Sequence, residues 1–433
     1  MTNAFDKVIG YDAIKKVLAQ IIDMVQNKDK YTALGASIPH GVLMYGKPGM
    51  GKTLMAKCFI SASGLTAYTV RRNKGSNEFV EKITETFRKA KETAPCIVFL
   101  DDIDKFANED DNHRDAEEYV AVQAGIDDIT DSQVLVIATA NDVRKLPFSL
   151  TRSGRFDHKI CFCAPEGKDA ENIIHYYLSN KKISDSVNLD DLNKMISYSS
   201  CSDLEAILND AAVHCGYEGK DAIDMDDLIY AVLSNEYTDY GNEDEVDENI
   251  AIEEEAKHIA ALHEAGHLVI SEILVPESIG LVSIRPNSHR SYGGFTHRCK
   301  NLANRRQQIA ICLGGKAAVE MYYPAICASG CSEDMNRAVN DICEAITVNG
   351  KLGIGGLNIY AASCESISES YKTATENIIR AELERNLFIV RDILNKNRAF
   401  LEKVTNELVK RGTLLASDIR KIKESVAVMP CAV

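Results

Sequence analysis

The sequence has no apolar run long enough to cross a bilayer. Its longest, Cys96 to Leu100 and Val134 to Ala140, fall far short of the ~18 residues required, so no membrane-spanning segment is expected. Basic residues are in deficit, with 49 Lys and Arg against 64 Asp and Glu and a formal net charge of -15. Phosphate neutralisation needs clustered cations, and no basic run dominates, so no nucleic-acid partner is expected. The nearest candidate, Arg71-Arg72-Asn73-Lys74, reads as a solvated loop. Low-complexity tracts are also missing, and 45% hydrophobic with 26% charged residues is globular composition. No secretory leader pattern opens the chain, and its 13 cysteines are scattered singly, which points to free thiols in a reducing cytoplasm. The closest pairs, Cys161-x-Cys163 and Cys327-x-x-x-Cys331, lack a second pair at zinc-finger spacing.

A chain of 433 residues exceeds one ordinary core, so two or three domains are expected. The first part alternates β-rich runs (Gly41 to Tyr45, Ala67 to Val70, Cys96 to Leu100, Val134 to Ala138, His158 to Cys163) with amphipathic helical segments. That alternation predicts a parallel sheet covered by helices on both faces. From Ala170 to Leu233 the apolar spacing is helical, which reads as a small lid, and Asn235 to Glu255 is an acidic stretch with the character of a solvated linker. The expected division is an α/β nucleotide-binding domain over 1–165, a helical lid over 166–235, a linker over 236–254 and a mainly α-helical domain over 255–433. In the last of these the stripe Leu383, Leu387, Val390, Leu394, Leu401, Val404, Leu408 reads as bundle packing.

Directly after the first strand stands Gly46-Lys47-Pro48-Gly49-Met50-Gly51-Lys52-Thr53, leading into a helix expected to begin near Leu54. Strand, glycine loop and helix in this order form a phosphate cradle: consecutive backbone N–H groups and a helix N-terminus face the anion, Lys52 reaches the β and γ phosphates, and Thr53 ligates Mg²⁺. The next apolar strand ends in Leu100-Asp101-Asp102, which places carboxylates at the sheet edge where α/β folds bind ligands. Asp101 is expected to hold Mg²⁺ through water and Asp102 to orient the attacking water. Asn141, ending another strand, is expected to reach the γ phosphate of ATP. Arg152 and Arg155 follow closely; they are either solvated or arginine fingers, and fingers would have to reach a neighbouring subunit's nucleotide, which demands a ring.

The second centre is His263-Glu264-Ala265-Gly266-His267 within a predicted helix, Glu255 to Leu274. Two imidazoles four apart share one helix face and can bind Zn²⁺, while the intervening carboxylate takes a proton from the metal-bound water. Gly266 inside a helix costs about 1 kcal/mol against Ala, so close packing is expected there. A catalytic zinc needs a third protein ligand, and His289, His297, Glu320, Glu333 and Asp334 are all chemically admissible.

The two centres in this order resemble the FtsH family of AAA+ zinc proteases over almost the whole chain. The matching stretches include Phe5 to Gly10, Ile38 to Met44, Ser153-Gly154-Arg155-Phe156-Asp157, Asp203-Leu204 with Asn209 to Ala212, His263 to His267, Leu313 to Ala318 and Gly330 to Asp334. The resemblance implies an AAA+ α/β module with its lid, followed by a zincin-type metallopeptidase domain. It also implies Asp334 as third zinc ligand, Arg152 and Arg155 as trans-acting fingers, Ile9 with Gly10 at the adenine, and Ser291 to Thr296 as an edge strand for extended substrate. A homohexamer acting on polypeptides is implied too, with Zn²⁺, ATP and Mg²⁺ as cofactors.

Four departures from the family pattern stand out. The family's membrane-spanning N-terminus has no counterpart in this sequence, so membrane substrates are not carried over with the resemblance. Asp102 stands where the family has Glu, which predicts slow ATP turnover. No aromatic-hydrophobic-glycine pore loop lies between Val70 and Phe87; Phe79 is the aromatic there, but with Ile83 and Phe87 it has core spacing. Cys201 replaces a lid Gly. The expected function is an ATP-dependent zinc endopeptidase with Glu264 as general base. A weakly hydrolysing remodeller and an energy-independent zinc peptidase are the alternatives.

Overall fold

A computed structural model describes residues 5–72, 76–107, 116–236, 250–284, 294–300, 304–324, 331–347 and 369–432. They gather into two compact units, residues 1–183 with 198–221 and residues 184–197 with 222–433. Of the acidic stretch expected as a linker, 237–249 lie outside the described residues, as do His289, Ser291 to Gly293 and Gly330.

The first unit contains strands β1 (Gly41–Tyr45), β2 (Thr66–Val70), β3 (Cys96–Leu100), β4 (Val134–Ala140) and β5 (His158–Cys161). Its helices are α1 (Asp12–Gln26), α2 (Lys28–Thr32), α3 (Lys52–Ser63), α4 (Ser76–Glu92), α5 (Ala116–Asp128), α6 (Phe148–Thr151), α7 (Lys168–Leu178) and, later in the chain, α9 (Cys201–Tyr217). The strands form one parallel sheet in the order β2-β3-β4-β1-β5. Buried strands of this kind read as continuous apolar runs. Accordingly Val42 and Met44 enter one core cluster with Ile97 and Phe99, while Leu43 enters the other with Val98 and Leu100. Phe79, Ile83 and Phe87 are buried, and the Phe79 ring meets Phe106 edge-on at 5.1 Å, so the spacing argument for core packing holds.

Several boundaries differ from the sequence expectation: β2 begins at Thr66, β4 runs on to Ala140, and α11 begins at Ile250, inside the stretch expected as a linker. β5 stops at Cys161 because its partner β1 turns away after Tyr45; the last bond is from Phe162 N–H to Tyr45 O, at 2.7 Å. α3 begins at Lys52, since Gly51 adopts φ 82° and frees the backbone to turn directly into the helix. The C-terminal stripe, read as bundle packing, spans two helices that break at Asn397, whose side-chain amide donates to Ile393 O and Met429 O.

The second unit comprises α8 (Leu189–Met195), α10 (Met225–Glu236), α11 (Ile250–Leu274), α12 (Arg305–Tyr322), α13 (Cys331–Thr347), α14 (Glu369–Lys396), α15 (Arg398–Arg411) and α16 (Ala416–Glu424). Its strands β6 (Ile279–Ser283), β7 (Phe295–Arg298) and β8 (Thr413–Leu415) form an antiparallel sheet in the order β7-β6-β8, which leaves β7 at an edge. An Asn304–Gln307 capping box starts α12. No described helix is long and apolar enough to cross a membrane.

α11 and α12 touch backbone to backbone: a Cβ on Gly266 would lie 2.3 Å from Gly314 O, and one on Gly314 would lie 2.7 Å from Gly266 O. This is the close packing expected at Gly266. Gly266→Ala gains roughly 1 kcal/mol of helix propensity, but overpacking costs about 1–3 kcal/mol and the obstacle is backbone. A lower denaturant midpoint is therefore expected. An unchanged or higher midpoint would mean that the two helices separate freely.

Candidate nucleotide and metal centres

The carboxyl ends of β1, β3 and β4 converge at one edge of the first unit's sheet, where α/β folds bind ligands. At the entrance to the glycine loop, a Cβ on Gly46 would stand 2.1 Å from Phe162 O, so only glycine fits. Lys52 is 6% exposed, and its ammonium donates to Gly46 O at 2.7 Å, Lys47 O at 2.8 Å and Asn141 Oδ1 at 2.9 Å. Burial pushes its pKa down, against the pull of Asp102 and Asp104. All three hydrogen-bond partners are neutral oxygens, so among the described residues this buried cation has no ion-pair anion. That environment fits a phosphate.

Thr53 and Thr139 both donate to Asp101 Oδ1, at 3.1 and 2.9 Å. The Thr53–Asp101 pair thus offers hydroxyl and carboxylate oxygens side by side, the donor set Mg²⁺ takes. Asp102 sits in the left-handed region at φ 56°, which Asp tolerates better than most residues. Its Oδ2 pairs with Lys105 at 2.7 Å, and its Oδ1 is 3.5 Å from the Asn141 amide. Thr139 also accepts from Asp102 N–H at 2.9 Å. The sequence reading missed Thr139, although a polar residue in the buried run Val134–Ala140 was a signal.

The remaining candidates fare differently. Met50 is buried, Pro48 is exposed and Leu54 is 44% exposed. Ile9 and Gly10 lead into Tyr11, whose ring lies 5.4 Å from Phe162 and whose hydroxyl donates to Cys163 O at 3.0 Å. A Cβ on Gly10, which adopts φ 71°, would meet the Asp169 side chain at 3.1 Å. Cys201 opens α9 with its thiol 3.8 Å from that same hydroxyl. Arg152 is exposed, whereas Arg155 is 3% exposed and grips Asp127 with Nε and a terminal nitrogen at 2.8 and 2.7 Å. The Arg155 guanidinium holds the Asp127 carboxyl below its ordinary range.

In the second unit, α11 presents His263 and His267 and the first turn of α13 presents Asp334. His263 Nε2 and His267 Nε2 lie 3.0 Å apart, and Asp334 Oδ2 is 3.1 and 3.0 Å from them. Among the described residues this is the group of three ligand atoms gathered closely enough to hold a metal. Two neutral imidazoles and a carboxylate suit zinc. Burial raises the Asp334 carboxyl, but the two imidazoles override it and hold it well below the carboxylate range. Burial lowers His267, and Asp334 with Glu264 reverses this to a net rise, so in the metal-free chain protons compete for His267 above the ordinary histidine range. Below that raised pKa protonated His267 cannot ligate, and metal affinity is lost as pH falls.

The surroundings orient these ligands. His267 Nδ1 faces Ile311 O at 2.7 Å, which leaves Nε2 as the ligand atom. Cys331 Sγ is 3.7 Å from His263 Nδ1. A Cβ on Gly315 would come within 2.6 Å of both imidazoles, so the rings pack on bare backbone. Glu264 is 5% exposed; Thr296 donates to its Oε2 at 2.5 Å, and a Cβ on Gly294 would strike it at 2.1 Å. Among the described residues, the other admissible third ligands are engaged elsewhere. Glu320 pairs with Lys316 and Arg391, Glu333 pairs with Arg337, and His297 bonds the Ser197 backbone.

Two family models match the chain: the ATPase family associated with various cellular activities (AAA) over residues 42–164, and peptidase family M41 over residues 250–422. The chain is 30% identical to the ATP-dependent zinc metalloprotease FtsH of Leptotrichia buccalis, over 96% of this chain and 56% of that protein. It is 27% identical to FtsH of Caldicellulosiruptor bescii, over 96% of this chain and 71% of the relative. With FtsH 2 of Symbiobacterium thermophilum the identity is 29%, over 96% and 74%. The chain thus spans little more than half the length of the Leptotrichia relative.

Proposed function

Given that the chain belongs to the FtsH family, in which an AAA ATPase module precedes an M41 peptidase module, we propose that it is an ATP-dependent zinc endopeptidase acting on polypeptides. The observation that carries this reading is the meeting of His263, His267 and Asp334 beside a buried Glu264. Zinc held by those three side chains would supply a Lewis acid and a water acidic enough to ionise near neutral pH. Glu264 takes the proton, its carboxylate aimed by Thr296 and enclosed by Gly294. The Ile311 carbonyl fixes the His267 tautomer. Strand β7 lies at the edge of its sheet next to Glu264, where an extended peptide can be held by strand addition.

On the ATPase side, Gly46, Pro48, Gly49, Met50, Gly51, Lys52, Thr53 and Leu54 form the phosphate cradle and helix start. Thr53 and Asp101 hold Mg²⁺, Asn141 reaches the γ phosphate, and Ile9 with Gly10 lines the adenine. Asp102 orients the attacking water. In a homohexamer, exposed Arg152 is the finger free to reach a neighbouring nucleotide, while Arg155 must first release Asp127. We further propose the division 1–165, 166–235, 236–254 and 255–433 as functional modules of a cytoplasmic enzyme.

Asp102 has a short side chain tied to Lys105, and a displacement of about 1 Å can cost a hundredfold in rate. Turnover is therefore slow, and Asp102→Glu is expected to raise ATP hydrolysis by about tenfold or more, read as phosphate release per chain. A rate equal to or below that of the unmodified chain would refute it. With Phe79 in the core, the substrate grip is weak and loosely folded substrates are preferred. The decisive comparison is casein against a tightly folded tagged protein, each with and without ATP. ATP-stimulated loss of casein well ahead of the folded protein is expected. Equal rates on both would sink the preference, and no casein cleavage under either condition would sink the peptidase.

A further inference from the structure

Cys161 and Cys163 take no part in either centre. Cys161 ends edge strand β5 and Cys163 follows two residues on, while Phe162 between them turns inward and is 2% exposed. Both thiols are exposed, and their sulfurs stand 3.6 Å apart. Two thiolates on a tetrahedral ion, each bonded at about 2.3 Å, are separated by about 3.8 Å, so the pair already has the required span. The Tyr45 phenol stands beside Cys161.

We propose that Cys161 and Cys163 form a bidentate site for a thiophilic divalent ion of the zinc and cadmium class, and that its occupation weakens nucleotide binding. Two S–H bonds are exchanged for two sulfur–metal bonds, two protons leave, and nothing is oxidised or reduced. The backbone of the chelate ring is tied to the nucleotide centre at three points. Phe162 N–H donates to Tyr45 O at 2.7 Å, Phe162 O fills the space beside Gly46, and Cys163 O accepts from Tyr11, next to Gly10. Closing a chelate ring over this segment stiffens it, so the loop entrance it touches can no longer adjust as nucleotide enters. The regulatory half rests on the nucleotide reading given above; the chelation half does not.

The test is a Cd²⁺ titration of the full chain carrying its zinc, followed by thiolate-to-cadmium charge-transfer absorbance, with ATP affinity measured in parallel. One saturable absorbance is expected, its midpoint weakened by about a hundredfold in Cys161→Ser and in Cys163→Ser, because a single thiol forfeits the chelate advantage. Cys201→Ser should match the unmodified chain. ATP affinity should fall on cadmium binding only where both thiols are present. An absorbance that survives in the double serine variant with an unchanged midpoint overturns the site. An absorbance that needs both thiols while ATP affinity stays constant overturns the regulation. A chain that binds no ATP at all condemns the nucleotide reading and leaves chelation to be decided by the absorbance.

Discussion

Glu264→Gln is expected to reduce cleavage of an unstructured polypeptide by about a thousandfold, within the range general-base catalysis supplies. The substitution keeps the size of the side chain and its capacity to accept from Thr296, so the fold of the second unit should be preserved. What disappears is the basic oxygen. The three ligand atoms belong to His263, His267 and Asp334, so bound zinc should be retained. ATP hydrolysis should also be retained, because Lys52, Thr53 and Asp101 lie in the other unit. If the Gln variant still cut casein within a few-fold of the unmodified rate, Glu264 would not be the base.

Lys52→Ala should produce the complementary loss. The ammonium is the buried cation of the phosphate centre, with no anion among its hydrogen-bond partners, and removing such an electrostatic contact from a phosphoryl-transfer site costs on the order of 10²–10³ in rate. ATP hydrolysis and ATP-stimulated casein loss should fall together, while cleavage of a short peptide that needs no delivery should persist. Loss of short-peptide cleavage in Lys52→Ala would mean that the ATPase unit assembles the peptidase rather than feeds it. Undiminished ATP hydrolysis would remove Lys52 from the phosphate centre.

Both centres were legible in the sequence where their residues are neighbours in the chain. The glycine loop between strand and helix, and two histidines one helical turn apart, are written in local spacing, and local spacing survives folding. Asp334 is separated from His267 by 67 residues, so only resemblance could single it out from four other admissible side chains. What remained unread was tertiary. The Ile311 contact is a carbonyl that every residue type carries, and Gly315 matters through an atom it lacks. Thr296 reaches Glu264 only because β7 pairs with β6 beside α11. Arg155 could be suspected of function, but its grip on Asp127 depends on where α5 lies. The sheet itself followed from its apolar runs, and its strand ends shifted where a partner strand turned away, as at Cys161.

The account stands or falls most directly on the metal content of the purified chain. One zinc per chain is predicted, retained in Glu264→Gln and lost in His263→Ala, His267→Ala and Asp334→Ala, each of which should remain folded by circular dichroism. Zinc held at full stoichiometry in all three alanine variants, or its absence from the unmodified chain after purification without chelators, would contradict it.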